Sequence, residues 1–166
     1  LSSSIILMVK TYIGLLRVSI GFIFLWAFFD KLLGLGYATS PDRSWLAGSS
    51  PTFGYLKNAT HGPLAEFFQS LAGNPIVDFL FMAGLLGVGV AFVLGIALRF
   101  SSYVGSLMLA LMYLSAFPPA NNPVIDDHII YALVLLVLAN IDSKKNNAIS
   151  SWWSKTSIAK TFPFLR

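Results

Sequence analysis

From Ile5 to Phe29 the chain is apolar, broken only by Lys10 and Arg17, and the run closes on Trp26-Ala27-Phe28-Phe29-Asp30-Lys31. At about 1.5 Å of rise per residue, such a helix is long enough to cross a hydrocarbon layer of roughly 30 Å with some tilt. An apolar helix ending in Trp, Asp and Lys is expected at a bilayer edge, because indole tolerates both phases while ions want water or a partner. Further apolar runs follow at about 76–98, 100–117 and 125–141. No single water-soluble core of this size could hide a chain that is 56% hydrophobic and 11% charged, with a mean hydropathy of +0.74. The expectation is one membrane domain over 1–166: all-α, an integral membrane four-helix bundle. The first run is too long, and lacks the small-residue cleavage site, for a removed signal peptide.

The connections carry their own signals. Between Leu32 and Pro75 the chain is rich in Gly, Ser and Pro, and Leu64, Phe67, Phe68 and Leu71 recur at helical spacing. A short amphipathic helix lying over the bundle mouth is expected within this long outer loop, with Trp45, Phe53 and Tyr55 as anchors. Ala83, Gly87, Ala91 and Gly95 follow one another every four residues, which predicts a smooth groove for a neighbouring backbone. Gly14 and Gly21 predict close approach on the first span, and Ser102, Ser106 and Ala110 make another small-residue stripe on the third. Spans two and three, separated by Arg99, form a tight antiparallel hairpin. Pro118-Pro119 stops span three, and Asn121-Asn122-Pro123 turns the chain into Asp126-Asp127-His128. The tail, 142–166, carries Trp152-Trp153 and several basic residues, as an interfacial segment would.

Four spans leave both termini on one side. That side holds Lys10, Arg99, Lys144, Lys145, Lys155, Lys160 and Arg166, against Lys31, Arg43 and Lys57 on the other. The positive-inside rule then predicts a multi-pass protein of the cell membrane with cytoplasmic termini, its long loop and the Asp126-Asp127-His128 cluster facing outward. Asn58-Ala59-Thr60 is a glycosylation triplet in that loop.

Arg17 with Gly21, the run Phe24-Leu25-Trp26-Ala27-Phe28-Phe29-Asp30-Lys31-Leu32, and Gly34-Leu35-Gly36-Tyr37-Ala38-Thr39 resemble the DoxX family. So do Gly62-Pro63, Phe68-Gln69-Ser70-Leu71-Ala72-Gly73-Asn74, and Asn121-Asn122-Pro123 with Asp126-Asp127-His128-Ile129-Ile130-Tyr131-Ala132. The chain looks most like the DoxD-type members, named for the membrane subunit of thiosulfate:quinone oxidoreductase. The resemblance covers nearly the whole chain and is weakest in the first ten residues and the tail. It implies a small four-helix membrane protein that passes electrons from thiosulfate to quinone, with tetrathionate as product. The alternative it implies is a non-catalytic accessory or scaffold subunit of a larger respiratory or oxidoreductase complex.

Read from the residues themselves, Asp127, His128 and Tyr131 lie about a turn apart at the outer start of span four, and Trp26, Asp30 and Lys31 reach the same depth from span one. Asp127, His128 and Asp30 are the candidate proton-handling groups of a quinone reaction, with Trp26, Lys31, Tyr131 and Arg17 as quinone- or substrate-binding candidates. The plainer reading gives Asp a helix-capping role and the Trp and Lys a place in an interfacial belt. Arg17 either holds an anion or a quinone carbonyl, pairs with a carboxylate of another helix, or snorkels to lipid phosphate.

The chain has no cysteine, which excludes a disulfide, a thiolate nucleophile, a persulfide carrier and an iron–sulfur ligand. His61 and His128 match no metal-ligand spacing, and no haem is expected from one span-bound histidine. Gly84-Leu85-Leu86-Gly87-Val88-Gly89 follows no strand, so it predicts a packing face and no nucleotide loop. Nucleic acid is not an expected partner; the bilayer, other membrane subunits or a second copy are. A quinone acting as electron acceptor is the one small molecule expected, in an apolar cavity beneath the amphipathic loop helix.

Overall fold

The computed structural model describes residues 3–141 and 148–165, and every regular element among them is helical. In order these are α1 (Ser3–Leu33), a 3-10 turn at Pro41–Arg43, α2 (Phe53–Asn58), α3 (Ala65–Ser70), α4 (Pro75–Leu94) and α5 (Leu98–Ser115). They continue with α6 (Asp127–Asn140), α7 (Ala148–Lys155), α8 (Ser157–Thr161) and a 3-10 turn at Pro163–Leu165. The all-α expectation holds. Lys144, Lys145 and Arg166, counted above with the basic tail, lie outside the described residues.

The four long helices close a ring in which α1 packs on α4 and α6, and α5 packs on α4 and α6. Gly21 sits against Phe92 and Val93, Leu25 against Gly89, Gly84 against Met108, and Gly105 against Leu135. These pairings run in opposite chain directions, so successive helices of the ring are antiparallel. One end, the loop end, therefore gathers the C-termini of α1 and α5 and the N-termini of α4 and α6, covered by α2 and α3. At the other end the closing 3-10 turn reaches α5, with the rings of Phe100 and Phe164 5.8 Å apart. Phe24, Met82, Val88, Phe92, Leu109 and Leu135 form the middle of the core.

Helix boundaries follow from caps. α1 runs past Phe29 to Leu33, where Gly34 turns the chain at φ +68° and its N–H bonds the Asp30 carbonyl at 2.8 Å. Asp30, expected at a water-facing edge, is instead 2% exposed. Its carboxylate accepts from the backbone N–H of Tyr37 at 3.3 Å and Ala38 at 3.0 Å, so this ion is a loop anchor. The Asn74 side chain caps α4 by accepting from Ile76 N–H at 2.9 Å, and Pro75 fits the first helical position, which needs no N–H. Gly95, at φ +75°, ends α4, and α5 begins three residues later at Leu98, so the expected hairpin is present.

The four-residue stripe on α4 serves the seam only in part, since Ala91 is buried. Ala83 and Gly87 are exposed, a β-carbon at Gly87 would meet nothing within 4 Å, and Gly95 is the C-cap. Close approach uses Gly89 and Gly21, while a β-carbon at Gly14 would meet nothing within 4 Å. A four-residue step advances about 40° beyond one full turn, so a long stripe winds off any one face. On α5 the small residues do serve contact: Ser102 is fully buried and the Ser106 hydroxyl donates to the Ala132 carbonyl of α6 at 3.2 Å. The loop contains α2, which the sequence periodicity did not reveal, and α3 is shorter than the Leu64 to Leu71 pattern.

By length and composition α1 and α4 are each apolar enough to cross a membrane. Only 22% of the most apolar stretch of α1 and 39% of that of α4 is buried within the molecule.

Candidate functional site

Between α4 and α5, under α2 and α3, lies a chamber of about 490 Å³. Its walls are carbon: Leu80, Phe81 and Gly84 from α4, and Val104, Leu107, Met108 and Leu111 from α5. Phe68 and Leu71 cover it, so the inward half of the amphipathic pattern does roof a cavity, while Leu64 and Phe67 stay exposed. The size and the apolar lining with few polar groups match small-molecule sites in general.

Hydrogen bonds to the first turn of α4 and the last turn of α5 hold the roof. Asp78, 6% exposed, accepts from the Ser50 hydroxyl at 2.8 Å, the Thr52 N–H at 3.3 Å and the Thr52 hydroxyl at 2.5 Å. The Tyr55 hydroxyl lies 2.8 Å from Ser115 Oγ and donates to the Met112 carbonyl at 3.2 Å. Further along, His61 N–H donates to the Ser115 carbonyl at 3.1 Å. Its ring nitrogens face the carbonyls of Pro118, at 3.0 Å, and Ala59, at 3.2 Å. Only the imidazolium can donate from both nitrogens, so first the Pro118 and then the Ala59 carbonyl raise the His61 pKa above its ordinary value. That contribution to docking is complete below the unfolded-state value and fades as pH rises through the folded one. NMR titration of the imidazole C–H signals is therefore expected to give a midpoint above about 6.5, falling back to that value on unfolding.

Lys31 is the one expected site residue that lines the chamber, and its ammonium makes no hydrogen bond or ion pair among the described residues. The remaining candidates are dispersed. His128 Nδ1 sits 2.7 Å from Asp126 Oδ2, so the carboxylate engaged by His128 is Asp126 and not Asp127. Asp126 also caps α6, accepting from the N–H of His128 at 3.1 Å and Ile129 at 3.3 Å. Asp127 is exposed without a side-chain partner among the described residues, and Tyr131 packs half-buried against the core. No hydrogen bond or ion pair joins Asp30 to Asp127, His128 or Tyr131. Trp26 stacks edge-on to Tyr37, their centroids 5.0 Å apart, and is 37% exposed. Arg17 is half-buried with its Nε unpartnered.

Sequence reasoning missed Thr52, Asp78 and Ser115 as cavity-building residues. A carboxylate four residues after the Asn74 cap, inside an apolar helix, was the available signal for Asp78. Among the described residues no group of three or more His, Asp or Glu side chains could hold a metal. Comparison of the chain with family models, with curated proteins and with solved structures finds no match.

Proposed function

We propose that this chain is a multi-pass protein of the cell membrane with cytoplasmic termini, a DoxD-like redox subunit whose loop-end chamber receives the head group of a quinone. One observation carries the reading: a carbon-walled chamber whose lining includes Lys31, whose ammonium makes no hydrogen bond or ion pair among the described residues, and the Tyr55–Ser115 hydroxyl pair. A quinone head needs an apolar slot with a hydrogen-bond donor for a carbonyl oxygen, and Lys31 is that donor.

Embedding in lipid is supported by the outward faces. A core helix of a water-soluble protein would be mostly buried, whereas most of the apolar length of α1 and α4 faces outward. The described basic residues divide four to three, Lys10, Arg99, Lys155 and Lys160 toward the end away from the loops and Lys31, Arg43 and Lys57 at the loop end, and the sequence adds Lys144, Lys145 and Arg166 to the tail. A reporter fused to the C-terminus is expected inside the cell.

In the reaction two thiosulfates lose one electron each and join through a new S–S bond as tetrathionate. The quinone takes both electrons and two protons to become quinol. With no thiol in this chain the sulfur is bound as an anion or handled by a partner subunit. Purified protein in liposomes with decyl-quinone and thiosulfate is expected to bleach the oxidised quinone absorbance and release tetrathionate. Absence of quinone binding overturns the reading.

A second reading has its own support. Asp30, Asp78 and Asp126 are all engaged in holding loops and caps, and no carboxylate lines the chamber. That arrangement suits a non-catalytic membrane subunit that binds quinone or lipid for a partner enzyme. Quinone binding without thiosulfate-dependent turnover, together with stable co-purifying subunits, selects it.

A further inference from the structure

The chamber's chemistry defines a ligand class wider than quinone. Its hydroxyls are already engaged: Thr52 with Asp78, and Tyr55 with Ser115 and the Met112 carbonyl. What remains is Lys31, on the lining of a carbon-walled space. The adjacent carboxylate, Asp30, is taken by the N–H groups of Tyr37 and Ala38. Lys31 is half-buried and makes no ion pair of its own among the described residues, the neighbouring Asp30 acting on it only through space, and an ammonium–carboxylate contact is stronger than one to a neutral carbonyl.

The entrance fixes the rest of the ligand. Leu80 is 62% exposed, Leu107 61% and Leu111 44%, and all three line the chamber. They sit on the flank of α4 and α5, not at the tip of the bundle, so the chamber opens sideways. A ligand entering there brings an apolar chain along the flank and a single polar head to Lys31.

We propose that the chamber binds a single-chain lipid anion, a long-chain carboxylate with its head on Lys31 and its chain leaving between α4 and α5, in competition with quinone. This rests on the reading above in one respect, that the flank of α4 and α5 faces lipid.

The test uses the full chain in nanodiscs of neutral phosphatidylcholine, with palmitate, methyl palmitate and decyl-quinone as probes. Palmitate is expected to bind at least about tenfold more tightly than its methyl ester, and to displace decyl-quinone. Lys31→Met, which keeps the bulk of the side chain and removes its charge, is expected to bring palmitate down to the affinity of the ester; Lys31→Arg is expected to retain the preference. Equal binding of acid and ester by the unmodified protein overturns the proposal even if Lys31→Met does not fold. So does a Lys31→Met protein that folds and keeps the preference. Decyl-quinone binding that palmitate cannot displace sinks this inference and leaves the quinone reading standing. Lys31-dependent palmitate binding with no quinone binding overturns the quinone reading and the competition, and leaves the lipid-anion site standing.

Discussion

Replacing Gly89 with leucine is expected to break the bundle, whereas the same change at Gly87 leaves it folded. A β-carbon at Gly89 would lie 2.6 Å from Leu25 Cγ and 2.9 Å from the Leu25 backbone nitrogen. A rotamer change can move the first atom but not the second, so α1 and α4 must separate along the seam that includes Phe24 and Phe92. Overpacking of this kind costs about 3 kcal/mol or more. At Gly87 nothing lies within 4 Å, and leucine brings a helix-propensity gain of about 0.8 kcal/mol. Thermal unfolding in detergent, followed by circular dichroism and size-exclusion chromatography, measures both. Equal tolerance at the two positions would mean that α1 and α4 do not meet where the structure has them.

Asp78→Ala is expected to be the most damaging loss of a charged side chain at the loop end. It removes an acceptor shared by two hydroxyls and the Thr52 N–H, with Thr52 5% and Asp78 6% exposed. Bonds that share one acceptor do not add, and removing the charged centre of such a buried network, which also orphans the Thr52 N–H, costs a total of about 3–5 kcal/mol. The effect reaches the chamber, because Thr52 and Tyr55 belong to its roof. Amide hydrogen exchange over Ser50 to Leu56 should accelerate in the variant. Asp127→Ala, at an exposed position in the first turn of α6, should cost no more than about 1 kcal/mol of helix-dipole interaction. If Asp127→Ala proved the more damaging of the two, the assignment of structural and free carboxylates made above would fail.

The contrast between Asp78 and Asp127 shows where residue order stops being informative. Both are acids near the start of an apolar helix, and in the sequence Asp127 drew attention because His128 and Tyr131 lie close by. In the fold a two-residue reach from the N-cap gives His128 to Asp126, while Asp78 is covered by a loop more than twenty residues upstream. Local spacing specifies which residues share a helix face. It does not specify which loop returns over them.

Glycine shows the same limit. The α4 stripe Ala83, Gly87, Ala91, Gly95 is regular in sequence, yet Gly89, off that stripe, touches α1. Any small residue permits close approach, and the choice among them is made by the crossing of two helices whose rotation no single helix encodes.

What the chain decided by itself is its helical character and the ends of its helices. Long apolar runs cannot leave backbone groups unpaired, so they become helices, and Asn74, Gly34, Gly95 and Asp126 stop or start them through local hydrogen bonds and φ values available to those residues. What only the tertiary structure decided is the chamber. It depends on Lys31, Thr52, Tyr55, Phe68, Gly84 and Ser115 arriving from five separate stretches of chain, and their meeting is set by the packing of the helix ring and the return of one loop across it. Contacts over such sequence separations leave no periodicity to read.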